Sequence, residues 1–270
     1  MKDTDCVRFL RWALPRLQRP WGGFRKVRTQ VCKRVQRRAA ELGLANTGDY
    51  WNHLEREPHE WERLDALLPI TISRFYRDKA VWDYLAASVL PTLAEAAHGR
   101  VVRALSLGCA SGEEPYTLKL AWHFAVQPRY PQAALAIVAT DVVDEVLARA
   151  QGACYALSTL RQLPAAWRRQ AFSHGDDEYC LRAPYRADVA FVRQDLREGL
   201  PAGTFDIIFC RNLLFTYFEE PAQRELLDRM LGDLREGGAL VIGRHERLPL
   251  SSSVLPSWPG ADRLGIYLIA

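Results

Sequence analysis

Two adjacent carboxylates follow a turn of small residues in the stretch LGCASGEEPYT, residues 107–117. Glycine turns after a strand often cradle phosphates, but the chain has neither the GxxxxGK[ST] nor the GxGxxG pattern that such sites need. Glu113 and Glu114 would also repel a phosphate. The turn therefore predicts a cationic ligand, with Glu114 facing it and Glu113 stabilising the start of a helix. The alternative is that both carboxylates only stabilise the helix start.

Two further acidic residues end apolar segments downstream of this turn. Asp141 ends AIVATD (136–141) and Asp195 ends VAFVRQD (189–195). Ligands of open α/β sheets bind at the carboxyl ends of the strands. There Asp141 could accept hydrogen bonds from ribose hydroxyls, Asp195 could read an adenine amino group, and Gly108 would let a ligand approach the backbone closely. This set of acceptors matches S-adenosylmethionine (SAM), which joins a sulfonium and an amino group to a ribose and an adenine.

The elements that would position these residues change character along the chain. Residues 24–42 have apolar side chains at three- and four-residue spacing, which predicts a helix, and residues 47–68 predict two more. Buried strands then alternate with helices, which predicts an α/β fold with a doubly wound, mainly parallel sheet. Residues 153–188 interrupt the alternation with a candidate short hairpin. The predicted strands are 101–107, 136–141, 189–195, 205–212, 237–243 and 264–270.

The length of 270 residues allows a large α/β domain and a smaller one. We assign residues 1–85 to an N-terminal helical, basic domain with its linker, and residues 86–270 to the α/β domain. The first 40 residues contain twelve Lys and Arg but two Asp, so the formal charge of +4 is very unevenly placed. A basic helical region favours an acidic partner or is simply a solvated face. Nucleic acid is disfavoured as the partner of the basic helix 24–42, because no aromatic stacking platform is interleaved with its basic residues.

Cysteine and hydropathy patterns exclude several classes of protein. The cysteines are scattered without a CxxC pair, which predicts neither a disulfide framework nor a zinc site and fits a reducing cytoplasm. The histidines are dispersed as well, so we assign no metal. No apolar run approaches the roughly 18 residues of a membrane span, and the charged start shows no secretory signal. We therefore expect a cytoplasmic protein without membrane insertion.

Four short motifs occur in the order that is found in the CheR-type chemotaxis receptor methyltransferases. They are TISRFYRD (71–78), ASGEEPYTL (110–118), ATD (139–141) and FCRN (209–212). The chain resembles this family over nearly its whole length. The resemblance implies a Rossmann-like class I SAM-dependent methyltransferase domain with a small N-terminal helical domain and a short inserted β-subdomain at 153–188. It also implies methyl transfer from SAM to a protein glutamate, which leaves S-adenosylhomocysteine, with an acidic chemoreceptor-like helix as the partner.

The resemblance also implies roles for individual residues. It places Arg77 nearest the chemistry, and either Tyr217 or Thr216 at the position of an active-site tyrosine. Thr71 stands where the family often has Asn, and Ser73 where it often has Thr; both keep a hydrogen-bonding side chain. Carried over position by position, the cofactor contacts would be Thr71, Ser73, Arg77, Glu114, Asp141, Asp195, Leu196, Cys210 and Arg211.

The chemistry of the implied reaction is compatible with these residues. A glutamate carboxylate is already ionised at neutral pH, so the acceptor needs no strong general base. The enzyme must instead align donor and acceptor, which can contribute roughly 7–11 kcal/mol. An arginine fork such as that of Arg77 can hold a carboxylate through two hydrogen bonds.

Two motifs depart from the family where an acceptor would dock. RNLLFTYF (211–218) is one residue longer than the usual RNxxxYF, so either Tyr217 or Thr216 stands at the tyrosine position. GRHE (243–246) replaces the usual GHSE, and His245 could serve as a base for an amine or hydroxyl acceptor or be purely structural. The alternatives are therefore a SAM-dependent enzyme for a small molecule or another protein side chain, and a non-catalytic SAM-binding module.

Overall fold

The computed structural model describes residues 3–71, 73–175, 177–249 and 255–269. Its contacts divide the chain into two compact units. The helical unit comprises Met1–Ile70 and Leu214–Ala222, and the α/β unit comprises Thr71–Leu213 and Gln223–Ala270.

Helices make up the helical unit and also occur between the strands of the α/β unit. None of the helices in the described part of the chain is long and apolar enough to cross a membrane. The helices are α1 (Asp3–Arg16), α2 (Trp21–Phe24), α3 (Arg28–Glu41), α4 (Thr47–Arg56), α5 (Glu60–Leu67), α6 (Lys79–Tyr84), α7 (Leu90–Ala96), α8 (Glu113–Ala121), α9 (Asp144–Gly152), α10 (Ala165–Ala171), α11 (Leu214–Tyr217) and α12 (Glu220–Asp233).

The helical unit has its own apolar core. Val31, Val35 and Ala39 are buried along one face of α3, as their spacing predicts. Phe24 is buried as well, but it ends α2, because the chain turns before α3 begins at Arg28. The single helix predicted for residues 24–42 is therefore wrong at its start.

A six-stranded sheet forms the centre of the α/β unit. Its strand order is β6-β2-β1-β7-β8-β9, with all neighbours parallel except the antiparallel pair β8 and β9. From β1 the chain adds strands first on one side, with β2 and β6, and then on the other, with β7, β8 and β9. This is the strand order of a doubly wound Rossmann-like fold, and the order reverses between β1 and β7. The strands are β1 (Val102–Leu107), β2 (Leu135–Asp141), β3 (Cys154–Tyr155), β4 (Phe172–His174), β5 (Tyr179–Leu181), β6 (Val189–Arg193), β7 (Phe205–Cys210), β8 (Leu234–Ile242) and β9 (Ile266–Leu268).

The segment 153–188 forms the expected inserted β-subdomain. Its three short strands make a separate antiparallel sheet with the order β3-β5-β4. Tyr155 of β3 is buried, and its hydroxyl donates to the carbonyl of Ser111 at 2.7 Å. The subdomain is thereby tied to the turn that follows β1.

The boundary between the two units lies earlier than the division at 85/86 that we drew from the sequence. The contacts place it between Ile70 and Thr71. The reason is that α6 packs into the α/β unit: Trp82 is buried, and its ring stacks on that of Phe209 in β7 with 5.5 Å between the centroids. The helical segment is thus not one domain up to residue 85.

The cysteines correct the sequence interpretation. Cys6 of α1 is joined to Cys32 of α3, and Cys154 of β3 to Cys180 of β5, each pair as a disulfide. Both pairs are 26 residues apart in sequence, so no local spacing reveals them. The expectation of no disulfide framework was wrong, because helix packing and strand register bring the partners together. Within the described ranges, no group of three or more His, Cys, Asp or Glu is arranged to hold a metal ion.

Candidate functional site

The turn between β1 and α8 lies at the point where the strand order reverses. Gly108 has a φ of +68° and Ala110 a φ of +49°, so the backbone enters the left-handed region twice within three residues. A Cβ atom at Gly108 would lie 2.9 Å from Leu213 Cδ2, so that side chain would have to move, and the positive φ would strain any larger residue. The turn therefore needs other groups to hold it in place.

Asp141 provides much of that support from the end of β2. Its Oδ2 accepts a hydrogen bond from the Ala110 amide at 2.9 Å, and its Oδ1 accepts one from the Val143 amide at 3.1 Å. The side chain is 8% exposed, and this burial raises the pKa of the carboxyl above its usual value. Asp141 thus fixes the turn to the neighbouring strand, and its remaining lone pairs could receive a ligand hydroxyl.

Glu113 is the first residue of α8, and its carboxyl group is buried. The residue lies in the first turn of α8, where a carboxylate faces the positive end of the helix dipole. The residue is nevertheless 5% exposed, and its Oε2 has no hydrogen-bond partner among the described residues. Burial raises the pKa of this carboxyl to about 7.

Glu114 has different partners. Its Oε1 accepts a hydrogen bond from the Ser106 hydroxyl at 2.9 Å, and its Oε2 forms an ion pair with Arg211 at 3.1 Å. Arg211 also pairs with Asp78 at 2.7 Å and donates to the carbonyl of Arg77 at 3.2 Å. The guanidinium of Arg211 is almost fully buried and serves two carboxylates. It therefore braces the end of β7 against the segment that contains Arg77.

Arg77 itself has a weaker set of contacts. Its Nη2 donates to Asn212 Oδ1 at 3.3 Å, and no carboxylate among the described residues forms an ion pair with it. Asn212 is held in turn by Glu246, whose Oε2 accepts from the amides of Asn212 and Gly243, each at 2.7 Å. Glu246 therefore orients Asn212, and Asn212 in turn orients Arg77.

The residues expected near adenine follow β6 and β7. The Asp195 carboxylate accepts from the Arg197 amide at 2.9 Å and pairs with the Arg197 guanidinium at 2.6 Å. Leu196 is buried beside it, and Cys210 is buried at the end of β7. Asp195 therefore starts a short helical turn, and its carboxylate is already shared with an arginine.

Of the remaining expected residues, Thr71 begins the α/β unit and is half-buried. Tyr217 and Thr216 belong to the helical unit, where the Tyr217 ring lies 5.0 Å from that of Phe24. His245 is exposed. Gly108, Asp141, Asp195 and Cys210 lie at or just after the carboxyl ends of β1, β2, β6 and β7, respectively.

Sequence reasoning missed four residues that hold this site. Ser106, a polar residue inside an otherwise apolar strand, was a detectable signal, since it is fully buried and needs a partner. Asn212 has a φ of +55°, a conformation that Asn tolerates better than most residues. Asp78 and Glu246 stand in the motifs TISRFYRD and GRHE, but their partners are distant in sequence, so their roles could not be read from the motifs.

Comparison with known proteins gives a consistent result. The family model "CheR methyltransferase, SAM binding domain" matches residues 71–260. The chain is 31% identical over 220 residues to the chemotaxis protein methyltransferase of Listeria innocua, which covers 82% of each chain. It is 31% identical over 233 residues to chemotaxis protein methyltransferase 2 of Pseudomonas aeruginosa, which covers 84% of this chain and 81% of that protein. Both alignments are longer than residues 71–260, so the likeness to these relatives extends beyond the segment that the family model matches.

Proposed function

Because the chain belongs to the CheR methyltransferase family, we propose that it methylates a glutamate side chain of a protein substrate and forms a methyl ester. The enzyme class, a SAM-dependent methyltransferase, follows from the family. We propose three further points: the identity of the methyl acceptor, the residues that carry out the reaction, and the cytoplasmic location that the sequence led us to expect.

The residues at the carboxyl end of the sheet fit SAM. Carboxylates lie at the turn that follows β1, and Glu113 Oε2 is a buried oxygen without a hydrogen-bond partner among the described residues. When bound, SAM supplies an electrophilic methyl group on a sulfonium. Asp141 would accept from the ribose, Asp195 and Leu196 would face the adenine, and Glu114 would receive the cationic end. The other proposed contacts are Thr71, Ser73, Arg77, Gly108, Cys210 and Arg211.

The observation that carries the proposal for a carboxylate acceptor is the contrast between Arg77 and Arg211. Arg211 is neutralised by Glu114 and Asp78. Arg77 is bound to the neutral amide of Asn212 and has no carboxylate partner among the described residues. A guanidinium whose charge is not compensated is suited to bind an incoming carboxylate and to orient it.

The basic face of α3 fits an acidic protein substrate. Lys33 and Arg37 are exposed; Arg37 lies 3.7 Å from Glu41 on the same helix, and Arg38 is bound to Glu60 at 2.8 Å. The exposed cations lie one turn apart on the same helix, so they could face acidic side chains on a partner helix. We propose that this face docks the receptor, and that the docking strength falls as ionic strength rises.

The proposal is tested by incubating the enzyme with methyl-labelled SAM and an acidic helical chemoreceptor fragment. Glutamyl methyl esters are base-labile, so the label should leave the fragment as methanol after mild alkali. Label that resists alkali would contradict the ester, and label found only in small molecules would indicate the alternative acceptor class.

The role of Arg77 is tested in the same assay with Arg77→Ala and Arg77→Lys. We expect kcat to fall by about a hundredfold in Arg77→Ala, since the acceptor loses its alignment, while the affinity for S-adenosylhomocysteine falls by a smaller factor. Arg77→Lys keeps the charge without the fork and should lie in between. Arg129→Ala, at an exposed arginine of the same unit, is the control. Loss of cofactor affinity without loss of kcat would assign Arg77 to cofactor binding alone.

A further inference from the structure

The segment that contains Tyr217 follows β7 in sequence but belongs to the helical unit. The Tyr217 ring packs on the ring of Phe24, with the planes inclined by 53°. Phe24 is 1% exposed and forms part of the core of the helical unit. The position of Tyr217 is therefore decided by a helix that lies almost 200 residues earlier in the chain.

A second contact involves the backbone of the same segment. A Cβ atom at Gly23 would overlap the carbonyl oxygen of Thr216 and would lie 3.2 Å from Tyr217 Cδ1. The obstacle is backbone, which cannot move aside as a flexible side chain can. The adjacent Gly22 would meet nothing within 4 Å. Of these two glycines in α2, only Gly23 is required by close packing.

A third contact comes from a buried arginine. Arg19 Nε and Nη2 donate to Asp65 Oδ1 at 3.2 and 3.1 Å, which fixes the plane of the guanidinium. Its Nη1 then donates to the Tyr217 carbonyl at 3.4 Å, and its Cζ lies 4.4 Å from the centroid of the Phe218 ring. The segment is thus held at its backbone and on both sides of Tyr217.

We propose that Arg19, Gly23 and Phe24 are positioning residues that fix the register of the segment RNLLFTYF, so that Tyr217 rather than Thr216 takes part in methyl transfer. This inference rests on the proposed function. RNLLFTYF is one residue longer than the usual motif. A longer connection can shift by one residue unless it is anchored. Packing against the Tyr217 ring and hydrogen bonding to the Tyr217 carbonyl both select one register.

The test compares Gly23→Ala with Gly22→Ala in the full chain. A displacement of about 1 Å in an aligning group can lower turnover about a hundredfold, so we expect Gly23→Ala to lower kcat by about ten- to a hundredfold. The affinity for S-adenosylhomocysteine, measured by calorimetry, should stay unchanged in both variants. Gly22→Ala should keep the wild-type kcat.

Hydrogen exchange provides a measurement that needs no substrate. Amides of residues 214–222 should exchange faster in Gly23→Ala than in wild type, while those of β1 and β2 should not change. Phe24→Leu keeps an apolar side chain but removes the ring contact. Phe24→Leu should raise the exchange rate of residues 214–222 and lower kcat, each by a smaller factor than Gly23→Ala. If Gly23→Ala does not fold, Phe24→Leu tests the positioning role in its place.

The outcomes separate this inference from the proposed function. Unchanged exchange in residues 214–222, or faster exchange with a wild-type kcat, would overturn the positioning role. A kcat that falls together with cofactor affinity would also overturn it, since that pattern indicates general damage. A wild-type enzyme that produces no base-labile label would overturn the proposed function, and the exchange comparison would still decide whether the segment is anchored.

Discussion

Replacing Glu113 by glutamine tests the electrostatics of the turn that follows β1. Glu113 is 5% exposed, and one of its carboxylate oxygens has no hydrogen-bond partner among the described residues. Burial raises the pKa of the carboxyl from 4.5 to about 7. Glutamine has nearly the same shape but no charge, so Glu113→Gln keeps the packing and removes the titration.

The sign of the effect follows from the raised pKa. Below pH 4.5 the carboxyl is protonated in the folded and the unfolded chain, and it causes no penalty. As the pH rises towards 7, the unfolded chain releases the proton first, so the wild-type protein loses stability over this range. A shift from 4.5 to about 7 corresponds to a loss of about 3 kcal/mol. Glu113→Gln does not share this loss.

The assay is urea unfolding of both proteins at several pH values between about 5 and 8. The free energy of unfolding of Glu113→Gln minus that of wild type should grow by about 2 to 3 kcal/mol over this range. The pKa of Asp141 is also raised by burial, but Asp141 is present in both proteins, so its contribution cancels in the difference.

Glu145→Gln is the matched control, because Glu145 also lies in the first turn of a helix but is exposed. Its difference from wild type should vary by less than about 0.5 kcal/mol. A difference for Glu113→Gln that is equally flat, or that shrinks with rising pH, would refute the assignment of a buried and incompletely partnered carboxylate.

Three further predictions concern the site, the docking face and the cysteines. Asp141→Asn removes a charged acceptor and should weaken binding of S-adenosylhomocysteine by about ten- to a hundredfold in calorimetry; unchanged affinity would contradict its role at the ribose. Lys33→Glu should raise KM for an acidic receptor fragment at low salt and leave kcat unchanged, whereas Arg129→Glu should change neither; equal effects of both would argue against a docking face on α3. Under denaturing conditions without reductant, two of the six cysteines should react with a thiol reagent, Cys109 and Cys210; six reactive thiols would show that neither disulfide forms.

Much of the α/β unit was predictable because its strands are buried on both faces. Such strands read as continuous apolar runs. The predicted segments 101–107, 136–141 and 205–212 therefore start within a residue of β1, β2 and β7. The predicted end of 205–212 was too late, because the polar pair of Arg211 and Asn212 already turns away from the sheet. The acidic residues at the strand ends were recognisable for the same reason.

The partners of the charged residues were not predictable. Glu113 and Glu114 are adjacent and chemically identical, yet Oε2 of Glu113 is buried without a hydrogen-bond partner among the described residues, whereas Glu114 forms an ion pair with Arg211. Neighbouring positions on a helix point about 100° apart, so they meet different surroundings. Nothing in the local sequence states what those surroundings contain.

By itself, the sequence determined the types of the elements, the order of the strands along the chain and the residues at the strand ends, because each depends on local periodicity and on chain direction. Only the tertiary structure decided which carboxylate neutralises Arg211, which cysteines pair and which unit holds Tyr217. These depend on contacts between segments that are distant in sequence. Such contacts form only when the apolar faces have packed and have set the register of each element against its neighbours.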